Sequence, residues 1–336
     1  MEQQAHKWQP QIIAVYDQQK ALELQKRLPD QKIVTGIEGL KEVASLQEAD
    51  IIVSAMSGSV GIQPTLSALK AGKNVALANK EVLVAAGELI MSTAKEHGAS
   101  VIPIDSEHSA LFQCLEGKDH KSVRRMLLTA SGGPFLHYSR DRLSQITLKE
   151  ALMHPTWQMG VKNTIDSSTL MNKGLELIEA HFLFGITSEN IEIVVHPQSV
   201  IHSMVEFIDG SILAQMSAPT MLVPIQYALS HPKRYPGLIE RFDYKSFSKL
   251  EFLPPDPGFK CINLCYYALK QGGTAPCYLN AVNEVLVERF VKGEILWIDI
   301  SDKLEKLLMK YQPEKELTLE KILETDKLGR LHANSV

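Results

Sequence analysis

The first 115 residues alternate short apolar runs with stretches of helical periodicity, and this alternation limits the possible folds more than any other feature. The runs are rich in β-branched residues and lie at residues 11–16, 32–35, 50–56, 74–78 and 100–104. Helices are predicted between them, among others at residues 40–46, 65–70 and 82–97. Buried strands separated by helices are typical of a parallel sheet covered on both faces. This half of the chain is therefore predicted to be a doubly wound α/β layer.

From about residue 123 the pattern changes to that of an α+β domain followed by helices. A long helix is predicted at residues 168–184, and strands are predicted at Val123–Ala130, Ile191–Val195, 200–208 and 211–215. The last two strands are joined by Asp209-Gly210, a typical hairpin turn. Amphipathic helices are predicted at 259–270, Ala275–Val291, 298–310 and 317–325. The predicted domains are therefore residues 1–104, residues 105–236, a linker at 237–258 with a proline-rich end, and a helical bundle at 259–336.

Composition narrows the class of protein. The 336 residues are 45% hydrophobic and 22% charged, with a formal net charge of −4. This balance gives neither the basic surface that nucleic acid requires nor a polybasic patch for anionic lipid. No apolar run reaches the ~18–20 residues of a membrane span, and residues 1–10 lack the apolar stretch of a signal peptide. A cytoplasmic metabolic protein is expected.

Four cysteines are too few and too irregularly spaced for a secreted disulfide framework. Cys261 and Cys265 lie at helical i, i+4 spacing without neighbouring histidines. Buried free thiols are the favoured interpretation for this pair, and a zinc site is the alternative.

Two acids follow the predicted strand at 100–104. Asp105 and Glu107 belong to the run Asp-Ser-Glu-His, and the carboxyl ends of parallel strands face the ligand crevice of such a sheet. Their carboxylates are suited to converge on one hard cation. The alternative is a helix N-cap formed by Asp105 or Ser106. Neither interpretation is excluded by the sequence.

A third acid, Glu176, lies inside the long predicted helix. Asn172, Lys173 and Glu176 are at i, i+1 and i+4, so they share roughly one helix face. An exposed ion pair between Lys173 and Glu176 is the alternative to a functional role.

Anion-binding features occur twice. Ser131-Gly132-Gly133 is a turn suited to cradle an anion, and residues 166–169 (Asp-Ser-Ser-Thr) are predicted to cap the long helix with their hydroxyl groups. Each is equally an ordinary turn or cap. The loop around His154 carries Trp157 and Met159, and such loops often serve as lids.

Other features are weaker. The turn at residues 57–61 (Ser-Gly-Ser-Val-Gly) follows a predicted strand but is not GxGxxG, so a plain tight turn competes with a ligand loop. His196 and His202 are expected to be held by hydrogen bonds rather than to bind metal.

Six segments occur in series: Asn79-Lys80-Glu81, Asp105-Ser106-Glu107-His108, Ser131-Gly132-Gly133-Pro134-Phe135, His154-Pro155-Thr156-Trp157, Met171-Asn172-Lys173-Gly174-Leu175-Glu176 and His196-Pro197-Gln198-Ser199-Val200-Ile201-His202. In this order and at closely similar spacing they resemble the 1-deoxy-D-xylulose 5-phosphate reductoisomerase family. The resemblance runs from about residue 11 to the end of the chain. A single tripeptide would carry little weight, whereas six in series are highly specific.

The resemblance implies a role for each matching position. Asp105, Glu107 and Glu176 match the family's ligands for Mg²⁺ or Mn²⁺, with Co²⁺ as a further candidate. Lys80 and Ser106 match positions beside the substrate's carbonyl and hydroxyl groups. The phosphate-binding positions, with His154 nearby, match Ser131, Ser167, Asn172 and Lys173. The NADPH positions match Asn79, Glu81 and Gly160, and the flap positions match Trp157 and Met159.

The implied reaction rearranges 1-deoxy-D-xylulose 5-phosphate to a branched aldehyde and reduces that aldehyde with NADPH to 2-C-methyl-D-erythritol 4-phosphate. The implied catalytic set is Lys80, Asp105, Glu107, His154 and Glu176. Residues 1–104 then correspond to part of an NADPH-binding domain, and residues 105–236 to a catalytic domain. The hairpin matches the family's dimer-forming sheet, so a homodimer is expected.

One departure concerns the beginning. The family opens on a glycine-rich dinucleotide turn that is not found in this sequence, and by the resemblance the chain begins roughly forty to fifty residues late. The predicted nucleotide-binding sheet is therefore incomplete. A start assigned too late is one explanation, and a truncated paralogue with impaired NADPH binding is another. Two further functions stay open, namely a metal-dependent sugar-phosphate binder without hydride transfer and a non-catalytic partner of a full-length homologue.

Overall fold

The computed structural model describes residues 1–336, except for the side chain of Arg140. In the N-terminal region, β1 (Ile13–Val15) pairs in parallel with β2 (Ile33–Thr35). A second parallel sheet has the order β3 (Ile51–Ser54), β4 (Asn74–Leu77) and β5 (Val101–Pro103). The five predicted strands are present, and the α/β prediction is confirmed. Within the described residues, no strand pairing joins the two sheets.

Five helices accompany these strands: α1 (Glu2–Trp8), α2 (Gln18–Arg27), α3 (Gly36–Ala44), α4 (Ile62–Lys70) and α5 (Lys80–Glu96). The core between α4, α5 and the three-stranded sheet contains fully buried aliphatic side chains, among them Leu69, Leu77 and Ile90. Burial of each such side chain stabilises the fold by about 1.5–3 kcal/mol. α5 begins two residues before its predicted start at residue 82, so Lys80 and Glu81 lie in its first turn.

The middle region is built on a four-stranded mixed sheet with the order β7-β6-β8-β9. β6 (Val123–Ala130) runs parallel to β7 (Ile191–Val195) and antiparallel to β8 (Ile201–Phe207), which forms a hairpin with β9 (Ile212–Met216). The helices of this region are α6 (Ser106–Leu115), α7 (Arg140–Leu143), α8 (Leu148–Ala151), α9 (Val161–Ser168), α10 (Met171–Phe184) and α11 (Leu222–Ser230).

The prediction that residues 166–169 cap one long helix is wrong in its main part. Residues 161–168 form α9, and the chain turns at Leu170, whose φ of 59° is left-handed, before α10 begins. The Ser168 hydroxyl donates to the Ile165 carbonyl, 2.6 Å away, and so satisfies the end of α9. Only Thr169 accepts a backbone N–H group of α10, from Met171 at 3.3 Å.

The C-terminal region consists of α12 (Lys260–Gln271), α13 (Ala275–Val291), α14 (Trp297–Leu308) and α15 (Leu319–Asn334), in agreement with the predicted bundle. α13 packs against α5 and α9 and thus supports the site region from behind. Leu253, in the segment predicted as a linker, exchanges two backbone hydrogen bonds of 2.8 Å with Val195. Among the described helices, none has the length and apolar character needed to cross a membrane.

The four cysteines are buried free thiols, as expected. Burial raises the pKa of Cys261 to about 12, so this thiol is protonated near neutral pH.

Candidate active site

One cavity of about 270 Å³ lies where the carboxyl ends of β4, β5 and β6 meet α5, α6, α9 and α10. All but one of the predicted site residues line it, namely Lys80, Glu81, Asp105, Ser106, Glu107, Ser131, His154, Gly160, Ser167, Asn172, Lys173 and Glu176. The exception is Asn79. Two parallel strands and the mixed sheet end at this place, which explains why residues distant in sequence converge.

Three carboxylates meet on one side of the cavity. Asp105, Glu107 and Glu176 each offer an oxygen atom, and the three atoms lie within 4.8 Å of one another. Asp105 occupies the N-cap position of α6, but its side chain accepts no hydrogen bond from the helix. The interpretation of Asp105 as a side-chain cap is therefore wrong, and its carboxylate faces the cavity instead.

Two lysines pair with these acids. Lys80 Nζ lies 2.5 Å from Asp105 Oδ2, and Lys173 Nζ lies 2.9 Å from Glu107 Oε1 and 2.5 Å from Glu176 Oε2. The Glu176 side chain is only 1% exposed. Lys173 and Glu176 therefore form the ion pair that was the alternative to a functional role. The pair is not exposed, however, but buried in the site.

Glu179 adds a fourth carboxyl group that sequence reasoning missed. Its side chain is fully buried one turn after Glu176, and neither of its oxygens has a hydrogen-bond partner. Because it follows Glu176 by one helical turn in an apolar helix, its spacing alone could have drawn attention to it.

Four carboxyl groups thus face two ammonium groups, so the cluster lacks two positive charges when all six are ionised. The pKa values reflect this imbalance. Burial and then the Glu107 carboxylate raise the pKa of Glu176 to about 8. Burial and then Asp105 raise the pKa of Glu179 well above its ordinary value. For Asp105 burial acts upward, but Lys80 outweighs it and holds the pKa below the ordinary value.

His108 lies behind the acids and was also missed as a site residue. Its Nε2 atom lies 2.9 Å from the Glu176 carbonyl oxygen, and its Nδ1 atom lies 3.4 Å from a Glu179 oxygen. Burial lowers the pKa of His108 to about 4, so the imidazole is neutral near neutral pH. It therefore does not supply the missing charge, and it fixes the spacing between α6 and α10.

The acid cluster fits a divalent metal ion. Three carboxylate oxygens are hard donors of the kind that Mg²⁺ or Mn²⁺ prefers. Asp105 Oδ2 is buried and makes no hydrogen bond of good geometry, although it lies close to Lys80. The residues best placed to hold the ion are Asp105, Glu107 and Glu176.

Hydroxyl, amide and imidazole groups line the same cavity. Ser131 Oγ accepts the Gly133 N–H group at 3.2 Å and lies 3.2 Å from His154 Nε2. His154 Nδ1 accepts two backbone N–H groups, from Thr156 at 3.1 Å and Trp157 at 2.9 Å. The proton of a neutral His154 must therefore be on Nε2, pointing toward Ser131. Burial lowers the pKa of His154, which favours this neutral form.

Asn172 and Ser167 complete this polar wall. Asn172 Oδ1 accepts from Lys80 Nζ at 2.9 Å, and its amide group donates to Glu176 at 2.6 Å. Ser167 lies in the last turn of α9 and lines the cavity, not at the start of α10 as the sequence suggested.

Asn79 and Glu81 lie on either side of Lys80. Asn79 is buried, and its side-chain amide donates to the carbonyl oxygens of Met56 and Gly58. It thereby holds the turn after β3, which is a short 3₁₀ helix at Gly58–Gly61. Glu81 lines the cavity together with Gly160, and a Cβ atom added at Gly160 would meet no protein atom within 4 Å.

The segment before α9 contains Trp157 and Met159, both of which line the cavity. Residues 155–160 have neither helix nor strand, as expected of a lid. His196 and His202 are held by hydrogen bonds to the backbone carbonyl groups of Glu251 and Ser217, as predicted.

Three family models match most of this chain. Family models match residues 1–87 (1-deoxy-D-xylulose 5-phosphate reductoisomerase), 101–184 (the C-terminal domain of this enzyme) and 216–332 (DXP reductoisomerase C-terminal domain). The 1-deoxy-D-xylulose 5-phosphate reductoisomerase of Protochlamydia amoebophila is 56% identical over 99% of this chain and 87% of its own length. That of Chlorobium phaeobacteroides is 48% identical over 97% of this chain and 86% of its own length.

Solved structures give the same result. A crystal structure of DOX-P reductoisomerase in complex with NADPH, fosmidomycin and magnesium is 40% identical with a TM-score of 0.95, covering 99% of this chain and 88% of the other. The Zymomonas mobilis enzyme in complex with NADPH is 40% identical with a TM-score of 0.92, covering 99% of this chain and 87% of the other. With identities of this size over nearly all of its length, the chain belongs to the 1-deoxy-D-xylulose 5-phosphate reductoisomerase family.

Proposed function

We propose that this protein converts 1-deoxy-D-xylulose 5-phosphate to 2-C-methyl-D-erythritol 4-phosphate, with NADPH as reductant and Mg²⁺ or Mn²⁺ as the metal. One observation carries the proposal. Three converging carboxylates line the same cavity as hydroxyl, amide and ammonium groups suited to a phosphate. A family enzyme of this kind needs both halves in one site.

The metal side is assigned to Asp105, Glu107 and Glu176. When bound there, a divalent cation supplies Lewis-acid polarisation of the substrate ketone, and NADPH supplies the hydride. Lys80, 2.5 Å from Asp105, is placed to add positive charge at the substrate carbonyl, and Ser106 is placed to hydrogen-bond a neighbouring hydroxyl group. Preorganised charge of this kind stabilises a developing oxyanion.

The phosphate side is assigned to Ser131, Ser167, Asn172 and Lys173, with His154 beside them. His154 donates from Nε2 and so orients the Ser131 hydroxyl or a phosphate oxygen. Holding the phosphate anchors the substrate while its carbon skeleton rearranges, and remote binding energy of this kind favours closure of the segment with Trp157. Closure would exclude water from the reactive aldehyde.

The cofactor side is assigned to Asn79, Glu81 and Gly160. Glu81 and Gly160 line the cavity, whereas Asn79 acts through the turn after β3. The same proposal assigns residues 1–104 to NADPH binding, 105–236 to catalysis and dimerisation, and 259–336 to a supporting bundle behind a linker at 237–258.

A cytoplasmic homodimer without a nucleic-acid partner is also proposed. The hairpin supports the dimer because β9 is an edge strand whose residues Ile212, Leu213 and Met216 are 49%, 41% and 36% exposed. Exposed apolar edge strands are natural sites of pairing between subunits.

The test follows NADPH absorbance with the purified chain, 1-deoxy-D-xylulose 5-phosphate and Mg²⁺ or Mn²⁺. We expect metal-dependent NADPH loss in the wild type. In Asp105→Asn the loss should exceed the roughly 10–100-fold typical of residues that only support a metal ligand. Asp50→Asn, which changes an exposed carboxylate, is the matched control. A folded, metal-binding wild type that leaves NADPH intact would contradict the proposal.

A further inference from the structure

We propose that Lys162 is a positioning residue that holds Glu81 and the beginning of α9 in place for the cofactor. The inference rests on the proposed function because it concerns the wall assigned to NADPH. Lys162 does not line the cavity, whereas Glu81, Gly160 and Asn163 do. It therefore acts on the site through its neighbours.

The contacts of Lys162 join three helices. Its Nζ atom lies 2.5 Å from Glu81 Oε1 on α5 and 3.0 Å from Asp166 Oδ2 on its own helix, α9. Asp166 also accepts from Asn283 Nδ2 on α13 at 2.9 Å. The Lys162 side chain is 28% exposed, while those of Glu81 and Asp166 are 9% and 0% exposed. One ammonium group thus binds two carboxylates that have little access to water.

Lys162 follows residues 155–160, which carry Trp157 and Met159 and are called the lid segment below. Gly160 is the N-cap residue of α9, and Lys162 is the second residue of the helix. The ion pair with Glu81 therefore fixes the end of the lid segment to the first turn of α5, which also carries Lys80. A shift of this anchor would directly move Glu81 and Gly160, which are assigned to the cofactor, whereas Ser167 lies at the opposite end of α9.

The charged groups around Lys162 also support this role. Three acids act on Lys162, namely Glu81, Asp166 and Glu284, and although burial opposes ionisation, they raise its pKa above the ordinary value. Burial likewise opposes ionisation of Glu81, but Lys162 outweighs it and lowers the pKa of Glu81. Removing the ammonium group would leave buried carboxylates unpaired. An unpaired Glu81 would also change its position in the cavity wall, because its partner on α9 would be gone.

The test compares Lys162→Met with Lys162→Arg and with Lys260→Met. Lys260 is a suitable control because it also pairs with two acids, Asp302 at 2.9 Å and Glu305 at 2.6 Å, but on the surface. NADPH binding is measured by fluorescence titration, and KM is measured separately for NADPH and for the sugar phosphate. Chymotrypsin cleavage after Trp157 reports on the lid segment without any ligand. Circular dichroism confirms that each variant is folded.

We expect Lys162→Met to weaken NADPH binding about tenfold or more, a magnitude usual for outer-shell partners, and to accelerate cleavage after Trp157. The KM for the sugar phosphate should change much less. Lys162→Arg should restore most of the loss. The double variant Glu81→Gln with Lys162→Met should bind NADPH no more weakly than Lys162→Met alone, since the two residues act as a unit.

Two outcomes would overturn the inference. One is a Lys162→Met variant that matches Lys260→Met in both NADPH binding and cleavage rate. The other is an equal rise in both KM values, which would indicate general loosening of the structure. A wild type that neither binds nor oxidises NADPH would instead contradict the proposed function, and the cleavage comparison would then decide alone whether Lys162 anchors the lid segment.

Discussion

At the scale of single residues, the raised pKa of Glu176 links cation binding to proton release. Glu176 shares one buried volume with Asp105, Glu107 and Glu179, and only two lysines balance them. Burial and the neighbouring carboxylates raise its pKa to about 8. A divalent ion therefore competes with a proton for this carboxyl group.

The pH dependence of metal binding follows from this competition. The ordinary pKa of Glu176 is 4.5, so between that pH and about 8 the folded protein retains a proton that the unfolded chain has lost. Below pH 8, metal binding must release this proton, and the association constant for Mn²⁺ should rise up to about tenfold per pH unit, then level off. Electron paramagnetic resonance of free Mn²⁺ measures this constant.

The proton that Glu176 retains in the folded protein also makes stability depend on pH. Without metal, the folded state binds more protons than the unfolded state in that window, so the Glu176 contribution to the free energy of unfolding decreases as pH rises through it. Glu176→Gln is the control, because it removes the Glu176 contribution to the pH slope together with a carboxylate oxygen, while Glu179 keeps its own raised pKa. A wild-type association constant that does not change with pH would refute the argument.

The site residues that were predicted from the sequence and those that were missed differ in their position relative to the cavity. Asp105 and Glu107 follow a strand, where parallel-sheet geometry predicts a ligand crevice, and the family resemblance supplied the rest. His108, Glu179 and Lys162 were missed as site residues because they act from behind the cavity. His108 and Lys162 have partners on other helices, Glu179 and Glu81, and no local spacing shows which helices will be neighbours. Glu179, in contrast, follows Glu176 on the same helix, so its spacing was visible in the sequence.

At the scale of elements, the turn after β6 depends on a close contact with the end of α9. Gly133 has a φ of +69°, and a Cβ atom there would lie 2.6 Å from the Ser167 carbonyl oxygen. Ser131 and Ser167, both assigned to the phosphate, are thereby held on neighbouring elements.

Gly133→Ala tests this contact, with Gly117→Ala as its matched control. Gly117 has nearly the same φ of +70°, but a Cβ atom there would meet nothing within 4 Å. Both variants should lose about 1–2 kcal/mol of unfolding free energy from the left-handed backbone. Gly133→Ala should lose a further ~1–3 kcal/mol from crowding and weaken sugar-phosphate binding. Urea unfolding and substrate titration measure the two effects, and equal losses in the two variants would refute the contact's importance.

Elements were predictable where local pattern determines them. β6 and α13 have the bounds that the sequence predicted. The boundary between α9 and α10 was not predictable, since it depends on a left-handed Leu170 whose side chain is buried in the core. Tertiary packing stabilises that turn, and no glycine marks it.

At the scale of the whole molecule, the C-terminal helix α15 contacts the turn after β3, in the region assigned to the cofactor. Arg330 on α15 pairs with Glu284 on α13 and Asp326 on α15, and lies 3.5 Å from the Ser59 hydroxyl in the turn after β3. The bundle thus connects that turn, α13 and, through Asn283, the end of α9. The three regions of the chain form one supporting frame around the cavity.

The free edge of the mixed sheet leads to the last prediction. β9 pairs with β8 on one side, and in the described residues no strand covers its other side. Leu213 is 41% exposed on this edge, and a lysine there would leave a charge in any interface formed by pairing of two such edges. Leu213→Lys should therefore raise the dimer dissociation constant at least about tenfold, equivalent to ~1.4 kcal/mol.

Light scattering over a dilution series measures the mass of each variant. Leu331→Lys is the control, because Leu331 is 66% exposed but lies on α15, away from the sheet. We expect that control to keep the wild-type mass at every concentration, while Leu213→Lys dissociates at higher concentrations than the wild type. If both variants keep the wild-type mass throughout, β9 is not the contact that joins the subunits. A wild type that is monomeric at all concentrations would contradict the dimer itself. The exposed apolar side chains of β9 would then remain uncovered in solution.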